Sequence, residues 1–165
     1  MVPTADADQA DALVIFGVTG DLARRMTFRA LYRLEARCLL HVPVIGVARE
    51  EWSTADLREH VRQAIEASGV PVREATLNSL LARMTYVQGD ASDPATSDRL
   101  AAALGQSQRP LFYLAIPPWL YAPLVQSLAK AGLLDEGRVA VEKPFGYDLA
   151  SAREGYVHGS GVWGA

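Results

Sequence analysis

VIFGVTGDLARR occupies residues 14–25 of this chain, and its reading decides the fold. Ala12–Phe16, ALVIF, is an unbroken apolar run. Such a run suits a strand buried on both faces. A glycine turn follows at Gly17, Val18, Thr19 and Gly20, and Asp21 opens a helix predicted to reach Ala36. In the spacing Gly17-x-x-Gly20-x-x-Ala23, Gly17 permits the sharp turn and Gly20 lets a ligand approach the backbone. Small Ala23 lets helix and strand pack closely. The helix start offers N–H groups and positive potential to a pyrophosphate. A tight strand–helix turn without a ligand is the competing reading. Thr19 reads as a turn residue or a hydroxyl donor. Asp21 reads as a helix cap rather than a ligand, because its charge repels a phosphate.

The pattern continues outward as alternating strand and helix. The expected buried face of the first helix is Leu22, Met26, Ala30, Leu31 and Leu34. Pro43–Ala48 is the next apolar strand. Ser53 or Thr54 then caps a helix with Leu57, Val61 and Ile65 at a spacing of four. A shorter helix is predicted over Glu74–Arg83, a strand over Met84–Gln88 and a helix over Asp98–Leu104. Leu111–Ile116 is a buried strand, Pro118–Ala131 a helix opened by prolines, and Val139–Val141 a last strand. A further helix is expected across Leu149–Tyr156. Five strands with intervening helices imply an α/β fold: a doubly wound parallel sheet of the Rossmann-like, dinucleotide-binding kind. We expect an N-terminal extension over 1–11, one domain over 12–154 and a tail over 155–165.

Composition narrows the function. The 165 residues carry 16 Lys+Arg and 19 Asp+Glu, a formal charge of −3, so sequence-independent binding to nucleic acid is not expected. One cysteine, Cys38, excludes an internal disulfide and a CxxC pair. The chain therefore reads as intracellular and cytoplasmic. The first twelve residues carry Asp6, Asp8 and Asp11 and no basic residue, unlike a signal peptide. The longest uncharged stretch, Pro110–Ala129, contains Pro110, Pro117, Pro118 and Pro123 and is no spanning helix.

The second strand ends at Ala48-Arg49-Glu50, where a dinucleotide fold meets the adenosine ribose. A carboxylate there suits the free 2′-hydroxyl of NAD, and an arginine suits the 2′-phosphate of NADP. Arg49 comes first and can also stack on adenine, so NADP is preferred over NAD. A solvated charge pair is the bland alternative. Lys143 follows the carboxyl end of a buried strand, where such folds place ligands. Its ammonium can bind a sugar hydroxyl or phosphate. A surface pair with Glu142 is the alternative.

Four segments together resemble the glucose-6-phosphate dehydrogenase family. They are FGVTGDLARR at 16–25, GVAREEW at 46–52, FYLAIPPWLYAPLV at 112–125 and VAVEKPFGYDLASAR at 139–153, with YVQGDASDP at 86–94 between them. The resemblance implies that Gly17, Val18, Thr19, Gly20, Asp21 and Leu22 form the turn that holds NADP. It places Thr19 within reach of the 2′-phosphate and Arg49 on it. It places Ala115, Ile116, Pro117 and Pro118 beside the nicotinamide half, with Tyr121 close behind. Glu142, Lys143 and Pro144 match the EKP motif, whose lysine touches the sugar substrate and whose proline helps to set cofactor and lysine positions.

The family's Asp-His-Tyr segment and its later histidine base have no match here. The resemblance thus covers the cofactor half. His41 and His60 read as surface residues, and His158 lies in the expected tail. Lys143 is the candidate catalytic residue, as a base if desolvation lowers its pKa. Leu120, Tyr121, Leu124 and Trp163 are expected to expose apolar surface that a homodimer or a partner protein covers. Two functions follow. One is an NADP-dependent oxidoreductase acting on a sugar or sugar phosphate. The other is an NADP-binding module that regulates or completes a partner. A short-chain dehydrogenase is disfavoured because the Tyr-x-x-x-Lys pair is missing: Pro117 stands four positions after Tyr113 and Val125 four after Tyr121.

Overall fold

The computed structural model describes residues 9–141. Glu142, Lys143, Pro144, the expected helix over 149–156, His158 and Trp163 lie outside the described residues. Five strands form one parallel sheet: β1 (Ala12–Phe16), β2 (Val44–Ala48), β3 (Met84–Gln88), β4 (Pro110–Leu114) and β5 (Arg138–Val141). Their order is β3-β2-β1-β4-β5, so β1 and β4 are neighbours from opposite halves of the winding. In register, Val14 lies between Ile45 of β2 and Phe112 of β4. Asp11, just ahead of β1, accepts from the backbone N–H groups of Gln108 and Arg109 at 2.8 and 3.0 Å.

Helices cover both faces. On one, α1 (Phe28–Ala36), α2 (Thr54–Glu66) and α3 (Glu74–Arg83) pack Phe28, Tyr32, Leu57, Val61, Leu77 and Leu80 against Ile15, Val44 and Met84. On the other, α4 (Pro94–Leu104) and α5 (Tyr121–Lys130) pack Leu100, Leu124 and Leu128 against Val14, Phe16 and Phe112. β1 is therefore apolar throughout because each of its faces is roofed by helices. Each fully buried Leu or Phe contributes roughly 1.5–3 kcal/mol of transfer free energy.

Local chemistry sets the helix ends. Ser53 caps α2 through a reciprocal box: Asp56 N–H donates to Ser53 Oγ at 3.1 Å, and Ser53 N–H donates to Asp56 Oδ2 at 2.7 Å. The bond from Ser53 N–H, and then a second that Ser53 Oγ donates to the same Oδ2 at 2.7 Å, hold the Asp56 carboxyl below its ordinary range. Asp93 caps α4 by accepting from Ala95 N–H at 3.0 Å, and Pro94 fills its first turn. That cap starts α4 at Pro94, four residues before the expected Asp98. β4 ends at Leu114 rather than Ile116, because the chain leaves the sheet at Ala115. A 3₁₀ turn over Pro118–Leu120 precedes α5, so the regular helix begins at Tyr121.

Two expectations are corrected. The helix after the glycine turn passes through a π-helical segment, Ala23–Thr27, before α1. A π turn holds an extra residue and shifts the helix phase. The buried stripe is consequently Ala23, Phe28, Leu31 and Tyr32, and of the expected face only Leu31 is buried. Met26 and Leu34 are 54% and 38% exposed. The second correction concerns the expected apolar patch. Tyr121 and Leu124 are buried because α5 turns them into the core, and Leu120 is half-buried. The large exposed side chain there is Trp119, at 76%.

Gly46 in β2 shows how the sheet positions the glycine turn. A Cβ there would lie 2.9 Å from Val18 Cγ1 and 3.0 Å from Leu57 Cδ2. Val18, inside the turn, thus rests directly on the β2 backbone. Gly46→Ala is expected to destabilise the domain by about 1–3 kcal/mol through overpacking. Urea unfolding monitored by circular dichroism measures it, and a loss below ~0.5 kcal/mol would show that Val18 moves aside freely.

Candidate functional site

The sheet order reverses between β1 and β4, and folds of this kind hold ligands outside the carboxyl ends of the strands at that point. A cleft of about 430 Å³ opens there. Phe16 and Gly17 after β1, Val47 and Ala48 of β2, and Ala115 and Ile116 after β4 form its walls. Its size is that of a small-molecule pocket.

Gly17 sits where these walls meet. Its φ is +79°, and a Cβ on it would lie 2.2 Å from the Ala115 carbonyl oxygen. Its N–H donates to Val47 O at 2.9 Å, while Ala115 N–H donates to Phe16 O at 2.9 Å. The turn is thereby stitched to both neighbouring strands. Gly20 N–H closes the turn onto Gly17 O at 3.0 Å, and Gly20 is exposed at the cleft.

The segment after β2 forms a second wall. Its backbone is clamped from β3. Gln88 Nε2 donates to Arg49 O at 3.3 Å, and Gly89 N–H to Ala48 O at 2.8 Å. Tyr86 Oη shares its proton between Glu50 O at 2.7 Å and Ala48 O at 3.0 Å. Burial, and then the charge of Glu50, pushes the Tyr86 phenol up to about 12, so it stays a donor throughout the physiological range. The exposed side chains of Arg49 and Glu50 are thus carried on a fixed backbone. Thr19 Oγ1 donates to Glu50 Oε2 at 2.9 Å, joining the glycine turn to this wall.

Behind the clamp lies an aromatic stack. Trp52 is 6.1 Å from Tyr86 and 5.0 Å from the His60 ring, and His60 meets Phe28 edge-on at 5.8 Å. His60 is therefore not an ordinary surface residue. Its Nε2 is buried without a hydrogen-bond partner. Burial, and then the positive charge of Arg24, lowers its pKa from the ordinary 6.5. Helical spacing alone could not reveal this, because the partners come from three separate segments.

The structure brings Gly17, Thr19, Gly20, Arg49, Ala115, Ile116 and Pro117 to the one cleft. Val18 points into the core, Asp21 and Pro118 are exposed outside the cleft lining, Leu22 is half-buried and Tyr121 is buried. Residues absent from the expected site also line it: Glu50, Gly89, Asp90, Ser92, Trp119 and Leu120. The signal for Gly89 and Asp90 was their place at the end of β3, a strand next to β2. A Cβ on Gly89 would lie 2.4 Å from Thr96 Cγ2, so the chain passes against α4 there.

Comparison with known proteins agrees with this geometry. The family model described as glucose-6-phosphate dehydrogenase, NAD binding domain, matches residues 14–157. The chain belongs to the glucose-6-phosphate dehydrogenase family. It is 50% identical over 145 residues to glucose-6-phosphate 1-dehydrogenase 1 of Mycobacterium tuberculosis, covering 88% of this chain and 31% of that protein. Against the Dickeya dadantii glucose-6-phosphate 1-dehydrogenase the identity is 38%, over 93% of this chain and 32% of that protein. The crystal structure of the Mycobacterium avium enzyme superposes with a TM-score of 0.84 at 51% identity, covering 90% of this chain and 33% of that one. A glucose-6-phosphate dehydrogenase solved with glucose-6-phosphate gives 0.76 at 32%, covering 90% of this chain and 34% of that one. The chain thus spans about a third of the relatives it matches. What it supplies is the family's Rossmann-like, dinucleotide-binding part. Among the described residues, no helix is long and apolar enough to cross a membrane.

Gly17→Ala combines an unfavourable φ with a backbone clash, and is expected to cost about 3 kcal/mol or more, read as a fall in unfolding midpoint. His60 gives a pH signature. Its folded pKa lies below its unfolded value, so the unfolded chain binds the proton more readily. Stability is full above the unfolded pKa and falls as pH drops through it. Melting temperature is expected to decline between about pH 7.5 and pH 5.5, less so in His60→Gln. Equal declines in both proteins would remove His60 as the cause.

Proposed function

We propose that this domain binds NADP in the switch-point cleft and forms the cofactor half of an oxidoreductase acting on a sugar phosphate. The observation that carries this is the meeting of the glycine turn, Arg49 and the Ala115–Pro117 segment around one cleft. The donor set fits a dinucleotide. Gly17 and Gly20 bring bare backbone to the cleft, the helix start behind them favours a pyrophosphate, and Arg49 offers a planar cation to a 2′-phosphate. Ile116, Pro117 and Trp119 give an apolar wall on the opposite side, suited to a flat ring. NADP supplies hydride acceptance when bound. The chain's own residues orient it and exclude water on the β4 side.

Lys143 is proposed as the group that meets the sugar phosphate, because it follows β5 closely in sequence. The cofactor residues assigned from sequence, including Val18, Asp21, Leu22, Pro118, Tyr121 and Glu142, stand as part of the same proposal. A second subunit or partner that completes the substrate pocket, as a homodimer or otherwise, and a cytoplasmic location belong to it too. Should the cleft bind NADP while no sugar phosphate is turned over, the alternative applies: a cofactor-binding module that completes another protein.

Titration calorimetry tests the cofactor reading. The chain is expected to bind NADP⁺ more tightly than NAD⁺. Arg49→Ala is expected to weaken NADP⁺ binding about 10- to 100-fold and to change NAD⁺ binding less than ~3-fold. No binding of either dinucleotide would overturn the proposal.

A further inference from the structure

The wall that carries Arg49 and Glu50 is held from behind, and one member of its support can change charge. Tyr86 Oη donates to the Glu50 carbonyl at 2.7 Å, and Trp52 N–H donates to the same oxygen at 2.9 Å. The Trp52 ring lies 6.1 Å from Tyr86 and 5.0 Å from His60. His60 in turn meets Phe28 at 5.8 Å, nearly perpendicular at 86°. Phe28 is fully buried, so the row of rings ends on the core. His60 is thus joined to the cleft wall through Trp52.

The surroundings of His60 are ill suited to a proton. Its Nε2 is buried and has no hydrogen-bond partner among the described residues. In an imidazolium both ring nitrogens are donors, so this one would be a buried charged donor without an acceptor. Arg24, from the π-helical segment, adds a like charge. Tyr86 from β3 is the titratable group beyond Trp52, and it stays neutral throughout the physiological range. α1 presents Phe28, which carries no charge. On α2 itself, Asp56 is bound to Ser53, Arg58 to the Met84 carbonyl and Glu59 to Gln63 Nε2. Aromatic faces attract a cation, but they supply no acceptor for the Nε2 hydrogen.

We propose that His60 is a positioning residue for the dinucleotide and a proton-operated latch: neutral, it packs against Phe28 and Trp52 and holds the Arg49–Glu50 segment set for binding; protonated, it leaves the stack and lets that segment slacken. The inference rests on the dinucleotide reading of the cleft given above. The only chemistry is a proton taken from water by the imidazole. The form that binds the dinucleotide is the form that keeps His60 neutral, so binding and protonation oppose each other reciprocally. The bound domain holds fewer protons on His60 than the free domain. Affinity is therefore constant above the His60 pKa of the free domain and falls as pH drops through it. That pKa lies below the ordinary 6.5.

The test follows the NADP⁺ affinity of the full chain by calorimetry from about pH 7.5 to about pH 5. The 2′-phosphate itself titrates near pH ~6, so His60→Gln serves as the reference that retains the ligand's own titration. Over this range the parent is expected to lose affinity by about threefold or more beyond the loss in His60→Gln. Arg24→Gln removes the like charge and is expected to move the onset of the parent's loss to higher pH. A second readout needs no variant. The imidazole C–H resonance of His60, assigned by its proximity to the Phe28 and Trp52 rings, gives its pKa by proton NMR with and without NADP⁺. Saturating NADP⁺ is expected to lower that pKa by about half a pH unit or more, the equivalent of the threefold change. The same loss of affinity in parent and His60→Gln overturns the latch and leaves the cofactor site in place. So does a His60 pKa that NADP⁺ leaves unmoved, or raises, as plain attraction to the ligand's phosphates would. Absence of binding at every pH overturns the dinucleotide reading, and this inference with it.

Discussion

The approach of the Gly17 backbone to the Ala115 carbonyl is the constraint on which this domain depends. The gap there leaves no room for a side chain. Glycine is required twice over at this point, once for its positive φ and once for its missing Cβ. The chain runs from β1 toward β2 and from β4 toward β5, on opposite sides, and the cleft opens between the departing segments. Val18 then rests on Gly46, which ties the turn to β2 as well. One close contact thus locates the ligand cleft, the first helix and both flanking strands.

A second layer of order lies behind the cleft wall. The segment carrying Arg49 and Glu50 has no regular structure, yet its carbonyls are taken by Tyr86, Gln88 and Trp52. Loops that carry function gain precision when a rigid scaffold holds their backbone. Here the scaffold is β3, and the aromatic stack of Tyr86, Trp52, His60 and Phe28 carries the support back to α1 and α2. A titratable ring, His60, lies inside that stack. The π-helical segment Ala23–Thr27 contributes by turning Phe28 and Tyr32 inward where an unbroken α-helix would have turned Met26 and Leu34.

Family membership and chemistry rest on different evidence. The match over 14–157 and the superposition at 0.84 establish the fold and its dinucleotide-binding character. The chain covers about a third of the relatives, and a reaction on a sugar phosphate needs groups beyond the cofactor cleft. Function is argued from the site itself, and the described part of that site is its cofactor half.

Much of the architecture was legible in the sequence. ALVIF, VIGVA and LFYL announced strands buried on both faces, and the bounds of β1, α3 and β3 follow from apolar runs and their flanking turns. The glycine turn and Arg49 were legible as well, because backbone freedom and charge are properties of single residues at fixed places relative to a strand. The helix phase after the turn was not, because a π segment depends on tertiary packing, here against α2, rather than on spacing. Nor was the burial of Tyr121 and Leu124, which the docking of α5 decides. The environment of His60 and the bond from Thr19 to Glu50 belong to the same class. Each joins residues 8 to 32 positions apart in the chain. Local sequence sets which groups can titrate or donate, and tertiary contact decides which of them meet.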